Sequence, residues 1–180
     1  MAGHRSGTAR QLSSSETAMV DALAALLTER RYEAIRVADI IARAGVGKST
    51  FYEHFRGKDD VLLAALQPIL LALTTAASGR AAHSYIRPMV AHLWERRSLV
   101  RPILESTAAL PLERRLAEAI ATHGGRPAEG DQTPLPCVRM AAAQLAMLRH
   151  WLSGHAVATT DEMTGRLIAC SRIGDGDHPA

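Results

Sequence analysis

In the short run that follows Gly47 the chain carries Lys48, Ser49, Thr50, Tyr52, His54 and Lys58, a set rich in donors and poor in acids. Hydroxyls and a lysine directly after a glycine suit an anion, because side-chain donors and the free N–H groups of a starting helix converge on one acceptor oxygen. Lys58, just ahead of the next apolar stretch, adds a second cation able to clamp a phosphate. Two different anions fit this set. One is a bound nucleotide, since Ala42-x-x-x-x-Gly47-Lys48-Ser49 matches a relaxed phosphate-loop pattern. The other is the backbone of a nucleic acid, with Lys48 also within reach of a guanine edge.

The elements that must position these residues separate the two. A phosphate loop follows a buried strand in an alternating β/α chain, but Ile40, Ile41 and Ala44 recur at helical spacing, and Asp39 and Arg43 interrupt any strand. No later apolar run ends in an Asp that could serve Mg²⁺. The spacing predicts instead a short helix over Val37–Ala44, with Asp39 in the first turn where the helix dipole favours an acid. Gly45 stops it, Gly45-Val46-Gly47 reverses the chain, and a second short helix runs from Lys48 to Phe55, closed by Gly57. Phe51 and Phe55, four apart, share the inward side of that helix, which leaves Lys48, Ser49 and Tyr52 facing out. Upstream, Ser13-x-x-Glu16 has the form of a capping box, and Met19, Val20, Leu23, Leu26 and Leu27 predict a helix to about Arg30, with Tyr32 and Ile35 anchoring the connection. Four of the seven aromatic residues, Tyr32, Phe51, Tyr52 and Phe55, fall in this small unit, where a three-helix core needs large side chains.

The run IIARAGVGKSTFYEHFRGKDD, from Ile40 to Asp60, resembles the DNA-binding segment of the TetR (tetracycline-repressor-like) family at Ile40, Ala44, Gly45, Val46, Thr50, Phe51, Tyr52, His54, Phe55 and Lys58. The close resemblance spans about residues 13–66. It implies a helix-turn-helix whose second helix enters the major groove, and it implies that Tyr52 and His54 approach the DNA backbone, the alternatives being a Tyr52 stacked within the unit and a His54 held in a structural hydrogen bond. Two positions depart from the pattern. Ile41 stands four before the turn glycine, where a small residue is common, so the two helices pack differently. Arg36 occupies a helix-cap position often held by Thr or Ser, losing about 1 kcal/mol of capping while offering a cation to phosphate.

The rest of the chain fixes the class. Ala and Leu dominate a 47% hydrophobic fraction with few β-branched and aromatic residues, which favours an all-α fold. The net charge is +3, and the basic excess lies before residue 59. Cys137 and Cys170 stand far apart without a CxxC, so neither zinc nor a disulfide framework is expected, and a reduced cytoplasmic setting fits. No apolar run approaches the roughly 18 residues of a membrane span. After residue 58 the pattern predicts one long helix from Asp59-Asp60 to near Gly79, then helices at about 80–96, 98–108 and 111–123, a loop at 124–134, a helix at 135–153, and a last helix introduced by Thr159-x-x-Glu162. The helix at 135–153 shows two apolar stripes, Val138, Ala141, Leu145, Leu148 and Leu152 against Met140, Met147 and Trp151, more than one core is expected to cover.

These readings give a disordered arm at 1–12, a three-helix DNA-binding domain at 13–57, a helical ligand-binding and dimerisation domain at 58–174, and a tail at 175–180. The expected DNA-contacting residues are Arg36, Lys48, Ser49, Thr50, Tyr52, His54 and Lys58. The resemblance implies a homodimer on double-stranded DNA with a palindromic operator, pairing through its last two long helices, and a small-molecule effector that lowers DNA affinity. The helix at 135–153 and its Ala141-Ala142-Ala143 run suit such pairing, and its mostly apolar neighbours point to a hydrophobic effector. No cofactor, metal or catalytic centre is expected: the eight histidines are scattered, HExxH and GxSxG are absent, and Glu113, Glu118 and Asp161 near His123 or His155 read as solvated helix charges. A nucleotide-binding enzyme and a helical interaction module without DNA are the competing classes.

Overall fold

A computed structural model describes residues 12–124 and 132–170. The arm apart from residue 12, the centre of the 124–134 loop and the tail lie outside the described residues. Those described form ten α-helices and one 3-10 turn, with no strand: α1 Ser14–Glu29, η1 Tyr32–Ala34, α2 Val37–Ala44, α3 Lys48–His54, α4 Lys58–Ala65, α5 Gln67–Ala77, α6 His83–Glu95, α7 Arg97–Leu104, α8 Ala109–His123, α9 Leu135–Leu152 and α10 Thr160–Ala169. The fold is all-α.

α1 begins at the expected capping box. The Ser13 hydroxyl accepts from the Glu16 N–H at 3.2 Å, and the Glu16 carboxylate accepts from the Ser13 N–H at 2.8 Å. Met19, Ala22, Leu23 and Leu26 lie on one buried stripe, so α1 becomes the spine on which α2, α3 and α4 pack. Ile40, Phe51, Phe55, Val61 and Leu62 complete this core, and Tyr32 and Ile35 are buried in the connection. Ile41 is half-buried at its edge, so the branched side chain before the turn is accommodated.

One expected helix is two. The segment after residue 58 breaks at Leu66, and α4 and α5 meet at 62°. Pro68 is the cause: it has no N–H to offer the carbonyl of Ala64, and its ring collides with the preceding turn of a continuing helix. The proline is accepted instead in the first turn of α5. The break sends the two halves mainly to different partners, α4 onto α1 with a smaller contact to α8, and α5 onto α8, α6 and α10.

The two stripes of α9 are covered only in part within one chain. α9 lies between α8 and α7 on one side and the ends of α6 and α10 on the other, which buries Ala141, Leu148, Leu152 and Trp151 and leaves Val138, Leu145, Met140 and Met147 half-buried. Trp151, from the second stripe, is buried and stacks on Trp94 of α6 with ring centroids 4.7 Å apart, its indole N–H donating to the Ala158 carbonyl at 2.8 Å. Between the stripes sits a residue the hydrophobic pattern passes over, Gln144, which is fully buried. Its Nε2 donates to the carbonyls of Leu73 at 3.1 Å and Leu167 at 3.4 Å, tying α5, α9 and α10 together, while its Oε1 has no partner. α10 is capped as expected by Thr159 and Glu162, and the two donors of Thr159 hold the Glu162 carboxyl below the usual range.

Candidate nucleic-acid interface

The α2–turn–α3 unit depends on one backbone angle. Gly45 has φ 66° and ψ 28°, the left-handed region that closes α2, and its N–H returns to the Ile41 carbonyl. A Cβ there would meet nothing within 4 Å, so the glycine is required by the sign of φ and not by space. Gly47 then starts α3 in an extended conformation. Because residues 37–44 are helical, the strand a nucleotide-binding loop would need is replaced by α2, and that reading of Gly47-Lys48-Ser49 falls.

α3 turns Phe51 into the core with no exposure, and Phe55 follows it at the helix end. Lys48, Ser49 and Tyr52 are exposed, and Thr50 is half-buried. Tyr52 is 52% exposed, its ring held edge-on by Phe51 with centroids 5.3 Å apart. One residue of this surface was missed: Glu53 is exposed beside Ser49 and Tyr52. Its only sequence signal was the helical period, which sets it opposite Phe51 and Phe55.

Two expected residues, His54 and Lys58, are engaged inside the protein, and a third, Arg36, caps α2 only through its backbone. His54 is half-buried with Nδ1 3.8 Å from the carboxylate of Glu16, a residue only 4% exposed, so it faces α1. At Arg36 only half a capping box forms: Asp39 accepts from the Arg36 N–H at 2.8 Å, whereas a guanidinium has no lone pair to return, and the Asp39 N–H turns to the Arg36 carbonyl at 3.0 Å. The Arg36 side chain is left exposed. Lys58, expected at a phosphate, donates to the carbonyls of Tyr32 at 2.8 Å, Ile35 at 2.9 Å and Glu33 at 3.5 Å, and its ammonium lies 4.3 Å from the centre of the Tyr32 ring. An ammonium has three protons, and these carbonyls occupy them.

Lys58 thus belongs to a latch between α4 and the turn η1. The Tyr32 hydroxyl donates to Asp59, and Glu33 of the same turn accepts from the Thr107 N–H, between α7 and α8, at 3.4 Å. Burial of Tyr32, reinforced by the bond to Asp59 and the charges of Asp59, Glu33 and Asp60, pushes the phenol well above its ordinary value. The consequence for stability follows from linkage. Above pH 10 the unfolded chain loses this proton while the folded chain keeps it, so stability falls as pH rises. Urea unfolding between pH 9 and 11 is expected to show that decline in the wild type and a shallower one in Tyr32→Phe; identical slopes would remove Tyr32 as the titrating group.

Basic side chains clip the unit together elsewhere. Arg43 of α2 spans both carboxylate oxygens of Glu29 on α1 at 2.7 and 2.9 Å, and Arg30 pairs with Asp39 at 3.5 Å. Among the described residues no group of three or more His, Cys, Asp or Glu is placed to hold a metal ion. No single helix is long and apolar enough to cross a membrane.

Residues 19–65 match the model of the family described as bacterial regulatory proteins, tetR family. Over 48 residues the chain is 46% identical to an uncharacterized HTH-type transcriptional regulator, YwcC, of Bacillus subtilis (strain 168), a match that covers 27% of this chain and 22% of that protein. Among solved structures, a TetR transcriptional regulator from Streptococcus agalactiae 2603V is similar over 87% of this chain and 93% of its own, with TM-score 0.54 and 20% identity. A dihydroxyacetone kinase operon activator, DhaS, is similar over 89% and 95%, with TM-score 0.51 and 14% identity. At such identities the two structures share the fold alone, and the family match falls within α1–α4.

Proposed function

We propose that this chain, whose residues 19–65 match the tetR family of bacterial regulatory proteins, is a sequence-specific repressor of that family, released from a palindromic operator by a small-molecule effector. The family makes it a DNA-binding transcriptional regulator. The observation that carries the finer reading is the face of α3: with Phe51 and Phe55 holding the helix on α1, Lys48, Ser49, Tyr52 and Glu53 remain outside the core as a polar surface of major-groove width. Lys48 and Glu53 supply opposite chemistries for base edges, a donor for guanine and an acceptor for the cytosine amino group. Ser49, Thr50, Tyr52 and Arg36 serve phosphates. His54 and Lys58 act one step back, fixing α3 on α1 and α4 on η1.

Two copies are needed to read a palindrome, with their α3 helices about 34–36 Å apart. The surface best suited to pairing is the side of α9 opposite its buried Ala141 and Leu148. There Ala142, Ala143 and Ala146 let a second helix approach closely, and α10 presents Gly165 and Ala169. The region from the Leu66 break onward is the effector-responsive part, and the cytoplasm is its setting.

Selection of genomic fragments by the purified protein, followed by retardation at several salt concentrations, tests this reading. It expects a two-fold symmetric site and a steep salt dependence. Binding of random and selected fragments with equal affinity would defeat it, and a reporter fused to the selected site decides between repression and activation, the role in the name of the operon activator DhaS. Within that assay Lys48→Ala is expected to reduce discrimination between the selected site and a mutated one by about tenfold. Unchanged discrimination removes Lys48 from base reading.

A further inference from the structure

We infer that the effector is an amphipathic organic anion, its charged head at Arg80 and His123 and its apolar body in the cavity between α5, α8 and α9. This rests on the regulator reading above and goes beyond it by naming the ligand's chemistry. The cavity measures about 470 Å³ and opens where α5 and α8 end and α9 begins, within the range of small-molecule sites. Its walls divide by character. Ala77, Ile120, Cys137 and Met140 make an apolar floor, while Arg80, with His123, stands at the rim.

Among the described lining residues there is no carboxylate. Arg80 makes no ion pair among the described residues, whereas Arg87, Arg101 and Arg115 on neighbouring helices each face an acid. A rim guanidinium without a carboxylate, over an apolar floor, favours a ligand that is anionic at one end and greasy at the other, because Arg forms paired hydrogen bonds to planar oxyanions. A second space of about 300 Å³ shares Thr74 and His123 with the first and continues past Leu70 and Leu71. The long axis of the ligand therefore follows α5 toward the Leu66 break. Binding that parts α5 from α8 is transmitted through this break to α4 and its latch on η1, and it weakens DNA binding only so far as the parted arrangement holds the anion more tightly.

The test is calorimetric titration of the full chain, without DNA, using octanoate and 2-naphthoate as carboxylates with apolar bodies and octyltrimethylammonium as the reversed charge. At least one carboxylate is expected to bind, the ammonium is not, and Arg80→Gln, at an exposed position, is expected to weaken carboxylate binding about tenfold with an unchanged melting temperature. The bound carboxylate is also expected to slow alkylation of Cys137 by iodoacetamide. The inference is overturned if neither carboxylate binds, if both charges bind equally, if Arg80→Gln binds as the wild type does, or if Cys137 reacts at the same rate with ligand present. Because DNA is absent, each of these results leaves the DNA-binding reading standing. Conversely, a chain that binds carboxylate in this way but retards no selected fragment keeps the cavity assignment and overturns the regulator.

Discussion

Lys58→Met is expected to lower unfolding stability by about 2–3 kcal/mol and to weaken DNA binding by one common factor on every sequence, with the salt dependence of binding unchanged. Methionine keeps most of the stem volume but has no protons to give. The carbonyls of Tyr32 and Ile35, which lose donors at 2.8 and 2.9 Å, are part-buried, so water replaces the ammonium incompletely. Loss of the cation over the Tyr32 ring adds about 0.5–1 kcal/mol to the first figure. DNA binding suffers because α4 and η1 are no longer held in one geometry, and η1 leads directly into α2. A phosphate clamp at the same position would behave in the opposite way. Its removal would leave the urea midpoint unchanged and reduce the slope of log affinity against log salt by about one. Measuring the midpoint and the slope on the same variant therefore decides between the two roles, and an unchanged midpoint with a shallower slope would end the latch.

That lysine also shows where reading a sequence stops. The type of Lys58 and its place before an apolar helix were legible, and both suit a phosphate. Its actual acceptors are backbone carbonyls more than twenty residues earlier, and carbonyls carry no side-chain signature. The same reason hid Gln144, whose partners are the carbonyls of Leu73 and Leu167. A polar residue on a helix with two apolar stripes reads as a solvent-facing gap until the neighbouring helices are known to close over it. By contrast, the capping boxes at Ser13 and Thr159 and the stop at Gly45 were fully legible, because each is decided within four residues. The pairing of Phe51 with Phe55 was legible for the same reason.

The break at Leu66 lies between these cases. Pro68 was in view, yet the apolar period from Val61 to Leu73 runs straight through it, and periodicity alone predicts one helix. Proline won because the cost of a missing hydrogen bond and a clash with the preceding turn exceeds what a continuous stripe returns, once α4 and α5 can each find a separate partner. The two stripes of α9 were legible, but counting apolar faces on one helix says nothing of which neighbours surround it: α6, α7, α8 and α10 bury Leu148 and Trp151 and leave Met140 and Met147 half-buried. Pairing of two chains would therefore draw on the small residues left outside the core as well as on this half-covered apolar surface.

The largest effect is expected from Phe51→Ala, which should cost about 3–5 kcal/mol and abolish operator binding at growth temperature. Phe51 has no exposure and stands where α3 meets α1, in contact distance of Phe55 with ring centroids 6.0 Å apart. In so short a unit no other side chain can refill its volume: α3 has one further core residue at its end, and α2 buries only Ile40 completely. The loss is comparable to the whole stability of many small domains, so α2 and α3 come away from α1, the helix on which α3 chiefly packs, while α5–α10 are expected to retain their helices. Circular dichroism should record a partial loss of helix at 37 °C beside a complete loss of retardation. Tyr52→Ala supplies the contrast on the same helix. With half its surface already in water, it should leave the unfolding midpoint nearly unchanged and weaken DNA binding, so a Tyr52 variant that is destabilised as much as Phe51→Ala would show that the outward face of α3 is not outward at all.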